Sequence, residues 1–168
     1  MNQTSPMPFS FALGLTLALT LSGCASGGGG GSSSGDALFR EDLGRVMLQP
    51  LVRAREKIWG KHQIPIYREE DTSRSFLYES RWMPRPVTAE EALGGASGGR
   101  NRVFIRGTLA EEYLDGTPIF RVRFEVENQI QTQANPDWHP APMPPEVRER
   151  FKRVYDDLAL ELRTGIIR

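Results

Sequence analysis

Residues 101–133 alternate apolar and polar side chains in two runs that flank an Asp-Gly pair, and this pattern constrains the fold more than any other. The residues between the apolar positions are mostly arginine, glutamate, threonine and glutamine. Successive side chains of a β-strand point to opposite faces, and Asp115-Gly116 favours a tight turn. The stretch therefore predicts an antiparallel hairpin with one apolar face and one charged face. The apolar positions are Val103, Ile105, Leu109, Phe120, Val122, Phe124, Val126 and Ile130.

Two shorter segments upstream predict a second pair of strands. Residues 64–69 and 75–82 are rich in aromatic and β-branched or other apolar residues, and a polar turn at residues 71–74 separates them. The aromatic face of the second strand would hold Phe76, Tyr78 and Trp82, and its charged face Glu79 and Arg81.

Apolar residues spaced three and four apart predict a helix at each end of the folded part. The first helix would begin with Asp36 as its N-cap, kink or restart at Pro50, and stop at Gly60. The second would begin at Pro144-Pro145 and stop at Gly165. The apolar faces would hold Phe39, Leu43, Val46, Met47, Leu51, Ala54 and Ile58 in the first helix, and Val147, Phe151, Val154, Leu158 and Leu162 in the second.

A sheet with one apolar face needs a covering layer, and two one-faced helices flank the strands in the sequence. We therefore expect an α+β fold, a two-layer α-ββ-ββ-α arrangement in which a four-stranded antiparallel sheet carries two helices on one face. Two longer loops remain. Residues 83–100 would hold a helical turn at residues 88–93 and a Gly-rich tip, and residues 133–144 are rich in proline and carry Trp138 and His139.

The first 35 residues hold an apolar segment, a cysteine and a Gly/Ser run. The apolar segment, residues 9–21, is too short for a permanent transmembrane helix, which needs about 20 residues. Its length fits the apolar core of a signal peptide, although residues 1–10 contain no Lys or Arg.

The motif Leu21-Ser22-Gly23-Cys24 follows this segment and resembles the lipobox of bacterial lipoproteins. The resemblance implies that residues 1–23 are a cleaved signal peptide and that Cys24 carries diacylglycerol and an acyl chain such as palmitate. Residues 24–35 would be a flexible tether. No aspartate follows the cysteine, which implies sorting to the outer membrane, facing the periplasm or the cell surface. The alternatives are an ordinary secretory signal with a chance cysteine and a buried free thiol.

The charges of the chain balance. All 21 basic and 21 acidic residues lie at or after Asp36, so the single domain expected over residues 36–168 is neutral. Such a domain has no basic excess for nucleic acid. Because Cys24 is the only cysteine, no disulfide can form within the chain.

The sequence carries no recognisable catalytic motif. His62 and His139 are the only histidines, so we expect no zinc site. The chain has no Gly-x-Ser-x-Gly, and its Gly-rich segment lacks the Lys of a phosphate-binding loop. Asp137 and His139 are close enough in sequence to suggest a catalytic pair, but a surface histidine fits a proline-rich loop better. We therefore predict no catalytic residue, no metal and no cofactor.

The charged face of the hairpin allows two interpretations. Arg121, Arg123 and two glutamates on one strand face two arginines on the other, so these residues form cross-strand ion pairs that keep the sheet soluble, or they form a polar docking face. Trp138 likewise is an exposed anchor for a partner or glycan, or it folds back over the edge of the core.

The strand ending in Trp82 and the arginine-led strand at residues 100–109 are similar to the domains of BamC-type lipoproteins of the outer-membrane protein assembly machine. The helix–sheet–helix order is also similar to the lipopolysaccharide-assembly lipoprotein LptE. These resemblances imply a non-enzymatic binding or assembly module of the cell envelope, with an envelope protein as partner and the lipid bilayer held through Cys24. The alternative is a periplasmic enzyme or small-ligand carrier with its site near His139 and residues 83–100.

Overall fold

The computed structural model describes residues 37–165, which form an antiparallel sheet and three helices. The predicted α+β class is confirmed, but four strands and two helices understate what these residues form. The strands are β1 (Leu38–Met47), β2 (Ile66–Asp71), β3 (Ser75–Ser80), β4 (Met83–Arg85), β5 (Ala96–Glu112), β6 (Pro118–Thr132) and β7 (His139–Pro140). The helices are α1 (Leu48–Lys61), α2 (Ala89–Leu93) and α3 (Pro145–Gly165).

The sheet has the spatial order β1-β6-β5-β3-β2, with two short strands added at one end. There β4 pairs with β5 beyond the end of β3, and β7 pairs with β6 beyond the start of β1. The long pair β5–β6 lies at the centre of the sheet, and a tight turn joins its two strands.

The predicted hairpin is confirmed. Gly116 at its turn has φ +80°, a left-handed conformation that glycine adopts without strain, and the side chain of Asp115 accepts a hydrogen bond from the Thr117 N–H (2.9 Å). The expected apolar face is the inner face of the sheet, where Val103, Ile105, Phe120, Val122, Phe124 and Val126 are buried.

Helices α1 and α3 contact each other, and their buried side chains join those of the inner face in one core. In α3 the predicted start after Pro144 is confirmed, and all five predicted apolar positions are buried. Such continuous burial, at about 1.5–3 kcal/mol for each large apolar side chain, accounts for most of the stabilisation.

The prediction of one helix from Asp36 to Ile58 is wrong in its first half, where the structure has the edge strand β1. The register of β1 shifts between Asp42 and Gly44, and Gly44 has φ +80°. This bulge inserts one extra residue, so Phe39 and Val46 face the core although their separation is odd. The same extra residue produced the apparent helical spacing.

The second half of that prediction is correct from Leu48 onward. Pro50 lies in the first turn of α1, where a missing backbone N–H costs nothing. The helix does not stop at Gly60 but continues to Lys61. Gln63, which follows, has φ +54° and redirects the chain into the second half of the sheet.

The two predicted loops contain more regular structure than expected. The helical turn is confirmed as α2, with Thr88 as its N-cap and a capping box that includes Glu91. The expected Gly-rich tip is instead the first part of β5, and residues 83–85 form β4. The proline-rich loop contains β7, whose pairing with β6 could not be read from its sequence.

The predicted signal peptide, Cys24, the tether and the Asp36 N-cap lie outside the described residues. Within residues 37–165, no helix is long and apolar enough to cross a membrane.

Candidate interaction surface

The outer face of the sheet lies opposite α1 and α3 and carries mostly arginine, glutamate and aromatic side chains. Cross-strand neighbours share a face, so the register assigns these side chains directly. One row crosses the whole sheet and reads Arg40 (β1), Glu125 (β6), Phe104 (β5), Glu79 (β3) and Arg68 (β2). This row divides the outer face into two parts that differ in how their arginines are neutralised.

One part, which we call the tryptophan end, consists of Trp82, Arg100, Arg102 and Trp138. The Arg100 guanidinium lies between two indole rings, 4.2 Å from the centre of Trp82 and 4.3 Å from that of Trp138. Arg102 lies over the other side of the cluster, 4.3 Å from the Trp82 ring. Cation–π contacts of this kind hold the rings and guanidiniums in place.

The predicted face of Trp82 is wrong. Strand β3 ends at Ser80, so the alternation stops before Trp82 and the ring turns onto the outer face. Trp138 is half-buried, and a Cβ on Gly98 would lie 3.3 Å from its ring. It therefore packs against the outer face of the sheet, on the side away from the core.

Arg100 has no carboxylate within ion-pair distance among the described residues; the side-chain oxygen of Gln129 accepts its hydrogen bonds at 3.0 and 2.7 Å. Burial, and then the positive charge of Arg102, lower the pKa of Arg100. The tryptophan rings thus take the place of an acid beside this cation.

The charged side chains of the row that crosses the sheet beside the tryptophan end are in ion pairs. Glu79, only 4% exposed, accepts from Arg102 at 2.5 Å and from Arg68 at 3.0 Å. Phe104 is buried on this outer face because the guanidiniums of Arg102 and Arg106 lie over its ring, at 4.8 and 4.4 Å. These contacts form a small second core that no helix covers.

An open cleft of about 440 Å³ adjoins this network between β2 and β3. Tyr67 on its rim is 65% exposed. Of the charged residues that line the cleft, Glu79 and Arg102 are engaged in ion pairs, whereas Arg81 is exposed and makes no ion pair within residues 37–165. Its lining residues are Tyr67, Glu79, Ser80, Arg81, Trp82 and Arg102.

The other part of the outer face, which we call the arginine patch, consists of Arg45, Arg106, Arg121 and Arg123. The register places Arg45 opposite Arg121 and Arg106 opposite Arg123. Two like charges directly opposite each other destabilise a sheet. The patch therefore contains two unfavourable pairs in adjacent positions.

The acidic residues near the patch neutralise only two of its arginines, Arg45 and Arg106. Glu111 pairs with Arg45 at 3.0 Å, and Glu125 pairs with Arg106 at 3.1 Å. Within residues 37–165 no ion pair or hydrogen bond is made by the side chain of Arg121 or Arg123, and both residues are exposed. The predicted cross-strand pairing thus holds for Arg102 and Arg106 but not for these two.

Asp42 faces Arg123 across β1 and β6, but its carboxylate has another role. It accepts the backbone N–H of Gly44 at 2.7 Å and stabilises the bulge. Asp42 therefore lies opposite Arg123 in register, but its carboxylate makes no ion pair with that guanidinium.

A buried network that the sequence analysis missed lies on the inner side of the tryptophan end. The Arg85 guanidinium binds Glu91 with two hydrogen bonds, at 2.7 and 2.6 Å, and also binds Asn128 at 2.8 Å. Asn128 in turn donates to the backbone carbonyls of residues 141 and 142. A Cβ on Gly99 would lie 2.8 Å from the guanidinium, so a larger residue there would displace the Arg85 side chain. The Thr88-x-x-Glu91 capping signal was the one readable sign of this network.

Opposing effects set the protonation of Glu91. Burial raises the pKa of this carboxyl, but the hydrogen bonds from Arg85 and Thr88 lower it more, and the net result is a lowered pKa. Glu91 is therefore held as a carboxylate that joins α2 to the sheet.

In the structure, His139 contacts the backbone of its own loop. Its Nδ1 lies 3.2 Å from the backbone carbonyl of Asp137. A cleft of about 230 Å³ lies between α2 and residues 141–145; of its two acids, Glu91 is held by Arg85 and Glu90 is exposed. His139 does not line that cleft.

Exposed apolar side chains lie on the edge strand β2, on the helices and at the tip of the β5–β6 hairpin. At the tip of the β5–β6 hairpin, Leu114 is fully exposed and Tyr113 is 56% exposed. Leu93 at the end of α2 is 91% exposed. The hairpin tip lies at the same end of the sheet as the arginine patch, since β1 begins at the opposite end.

Among the described residues, no three His, Asp or Glu side chains come together in a group suited to a metal ion. The side chains that the structure assembles on the open face of the sheet are mainly arginines, glutamates and aromatics. No protein-family model matches the sequence, and no curated protein matches it either.

Proposed function

We propose that this protein is a lipid-anchored, non-enzymatic docking module of the cell envelope that binds a partner protein through the outer face of its sheet. The anchor is Cys24, acylated at the end of a flexible tether. The chain reaches the sheet at Leu38, so the tether leads to one end of β1. The bilayer and an envelope protein are then the two partners.

The observation that carries this proposal is the arginine patch. Arg121 and Arg123 lie opposite other arginines and make no ion pair within residues 37–165. The sequence holds as many acids as bases and supplies carboxylates to Arg40, Arg68 and Arg102 elsewhere on the outer face, while Arg100 is held by Gln129 and two indole rings. Uncompensated charge that lowers stability is typical of residues kept for binding.

The shape of the outer face also favours docking over catalysis. An enzyme or small-ligand carrier would need convergent, unengaged polar groups in an enclosed pocket. The cleft nearest to residues 83–100 and the proline-rich loop is lined largely by apolar and proline side chains; of its two acids, Glu91 is held in a structural network and Glu90 is exposed to solvent. The enzyme or carrier alternative therefore has less support than docking.

Site-specific photo-cross-linking in intact cells tests the docking proposal. A photoreactive residue replaces Thr108, an exposed residue opposite Arg121 in register, in one strain and Leu160, which is 59% exposed on the helix side, in another. We expect a cross-linked product of defined mass from position 108 and none from position 160. Equal yields from both positions, or no product from either, would contradict docking through the outer face.

Palmitate labelling tests the anchor separately. We expect labelled protein in the membrane fraction, and loss of both the label and the membrane association in Cys24→Ala. Incorporation of palmitate that persists in Cys24→Ala would refute the anchor.

A further inference from the structure

The spacing and the charge of the arginine patch indicate what kind of partner fits it. Arg121 and Arg123 are alternate residues of β6, so their side chains leave the same face about 6.6–6.8 Å apart. An extended peptide places its own alternate side chains at the same interval. Two carboxylates on such a peptide would match the two guanidiniums.

The choice of arginine over lysine also bears on the ligand. The chain has three lysines, and all of them lie on α1 and α3, whereas the cations of the outer face are arginines. A guanidinium binds a carboxylate with two parallel hydrogen bonds, which a lysine cannot do. The outer face therefore suits carboxylates, which are planar and can accept two hydrogen bonds from one guanidinium.

The position of the patch favours a protein over the membrane to which the chain is tethered. Arg45 lies seven residues along β1 from Leu38, where the tether joins, so the patch is about 23 Å from that end of the sheet. The residues nearest the tether are instead those of the tryptophan end, because Ala37 accepts a hydrogen bond from Asn128, next to Gln129.

We propose that Arg121 and Arg123 bind an extended acidic segment of the partner protein, in which carboxylates on alternate residues pair with the two guanidiniums. This inference rests on the proposed docking function and specifies its ligand chemistry. Arg45 and Arg106 flank the site and add to its positive potential while their own acids hold them in place.

Fluorescence anisotropy with the full-length chain tests this inference. The probe is a labelled synthetic peptide in which glutamate alternates with serine, and the control peptide has glutamine in place of each glutamate. We expect the glutamate peptide to bind and the glutamine peptide not to bind. The affinity should fall with added salt, because the pairing is charged and exposed.

Matched variants locate the site. Arg121→Gln and Arg123→Gln should each weaken binding of the glutamate peptide about tenfold, as expected for one charge-assisted contact. Arg153→Gln removes an exposed arginine from α3 and should leave binding unchanged. Equal weakening by all three variants would mean non-specific charge attraction and would overturn the inference.

A vesicle arm separates a protein acid from a lipid headgroup. The chain is mixed with phosphatidylcholine vesicles that either contain or lack phosphatidylglycerol. We expect no binding that depends on Arg121. Arg121-dependent binding to the anionic vesicles, without binding to the glutamate peptide, would overturn the inference. If position 108 cross-links to a partner in cells while the glutamate peptide fails to bind, the ligand chemistry is wrong and docking still stands.

Discussion

The two ends of the outer face use the same residue, arginine, in opposite ways. At the tryptophan end Arg100 and Arg102 are held by indole rings, by Gln129 and by the carboxylates of Glu79 and Glu127. In the arginine patch the central guanidiniums face other guanidiniums and have no such partner within the described chain. Both ends lie on the strand pair β5–β6, so the difference in how their arginines are held comes from the side chains next to them.

The contrast separates charges that stabilise the fold from charges available to a ligand. A guanidinium that is packed on aromatic rings and paired with a nearly buried acid cannot be removed without exposing those groups. A guanidinium that stands opposite its own kind costs stability and can be removed without loss. Substitutions at the two ends should therefore move stability in different directions.

The largest effect is expected from Glu79→Ala. The substitution leaves the guanidiniums of Arg68 and Arg102 without their shared carboxylate beside the buried Phe104. We expect the free energy of unfolding to fall by about 2–3 kcal/mol, because removing one partner of a nearly buried pair leaves the others uncompensated. Urea unfolding followed by circular dichroism measures the loss. A loss below about 0.5 kcal/mol, the range of exposed pairs, would remove the distinction between the two ends.

Trp82→Ala should have the next largest effect. Its ring lies against both Arg100 and Arg102, so its removal ends two cation–π contacts and uncovers part of the sheet. We expect a loss of about 2 kcal/mol. Trp82→Phe keeps an aromatic ring and should lose less than half of that. Equal losses for both variants would show that the contact with the guanidiniums contributes little.

The buried network on the inner side of the tryptophan end should make the stability depend on pH through Glu91. Because its folded-state pKa is lowered, this carboxylate stabilises the fold at pH values above its unfolded-state pKa, and the stabilisation is lost as the pH falls through the folded-state value. Glu91→Gln should therefore cost about 1–2 kcal/mol at neutral pH and progressively less in acid. Unfolding curves of both proteins over a pH series check this. A difference that stays constant with pH would contradict it.

The smallest effect, and the one of opposite sign, is expected from Arg121→Glu. The new carboxylate would face Arg45 across β1 and β6 in place of a like charge. We expect the unfolding free energy to rise by about 0.5 kcal/mol. The same variant should also abolish the cross-linked product in cells and the binding of the glutamate peptide. Higher stability with unchanged binding would show that the patch does not bind an acidic segment.

The sequence predicted best those parts of the fold that depend on local periodicity. The β5–β6 hairpin and α3 were predicted because their apolar residues keep one period over many residues. Strand β1 was missed because the bulge at Gly44 shifts its alternation by one residue. The short strands β4 and β7 were missed because only their position beside β5 and β6 makes them strands.

The interaction surface was predicted only in part, since pairing across strands depends on register. The alternation predicted that Arg121 and Arg123 share a charged face. It could not show that β1 would lie beside β6 and place Arg45 opposite Arg121. The stacking of Arg100 between Trp82 and Trp138 joins segments that are far apart in sequence, and no local pattern indicates it.

The most direct test of the difference between the two ends compares the unfolding free energies of Arg102→Gln and Arg121→Gln. The chemical change is the same, both positions lie on the outer face, and only the neighbours differ. We predict a loss of about 2 kcal/mol for Arg102→Gln, and a change within about 0.5 kcal/mol of zero for Arg121→Gln, on the stabilising side. A loss for Arg121→Gln as large as that for Arg102→Gln would contradict the conclusion that the arginine patch is kept for binding.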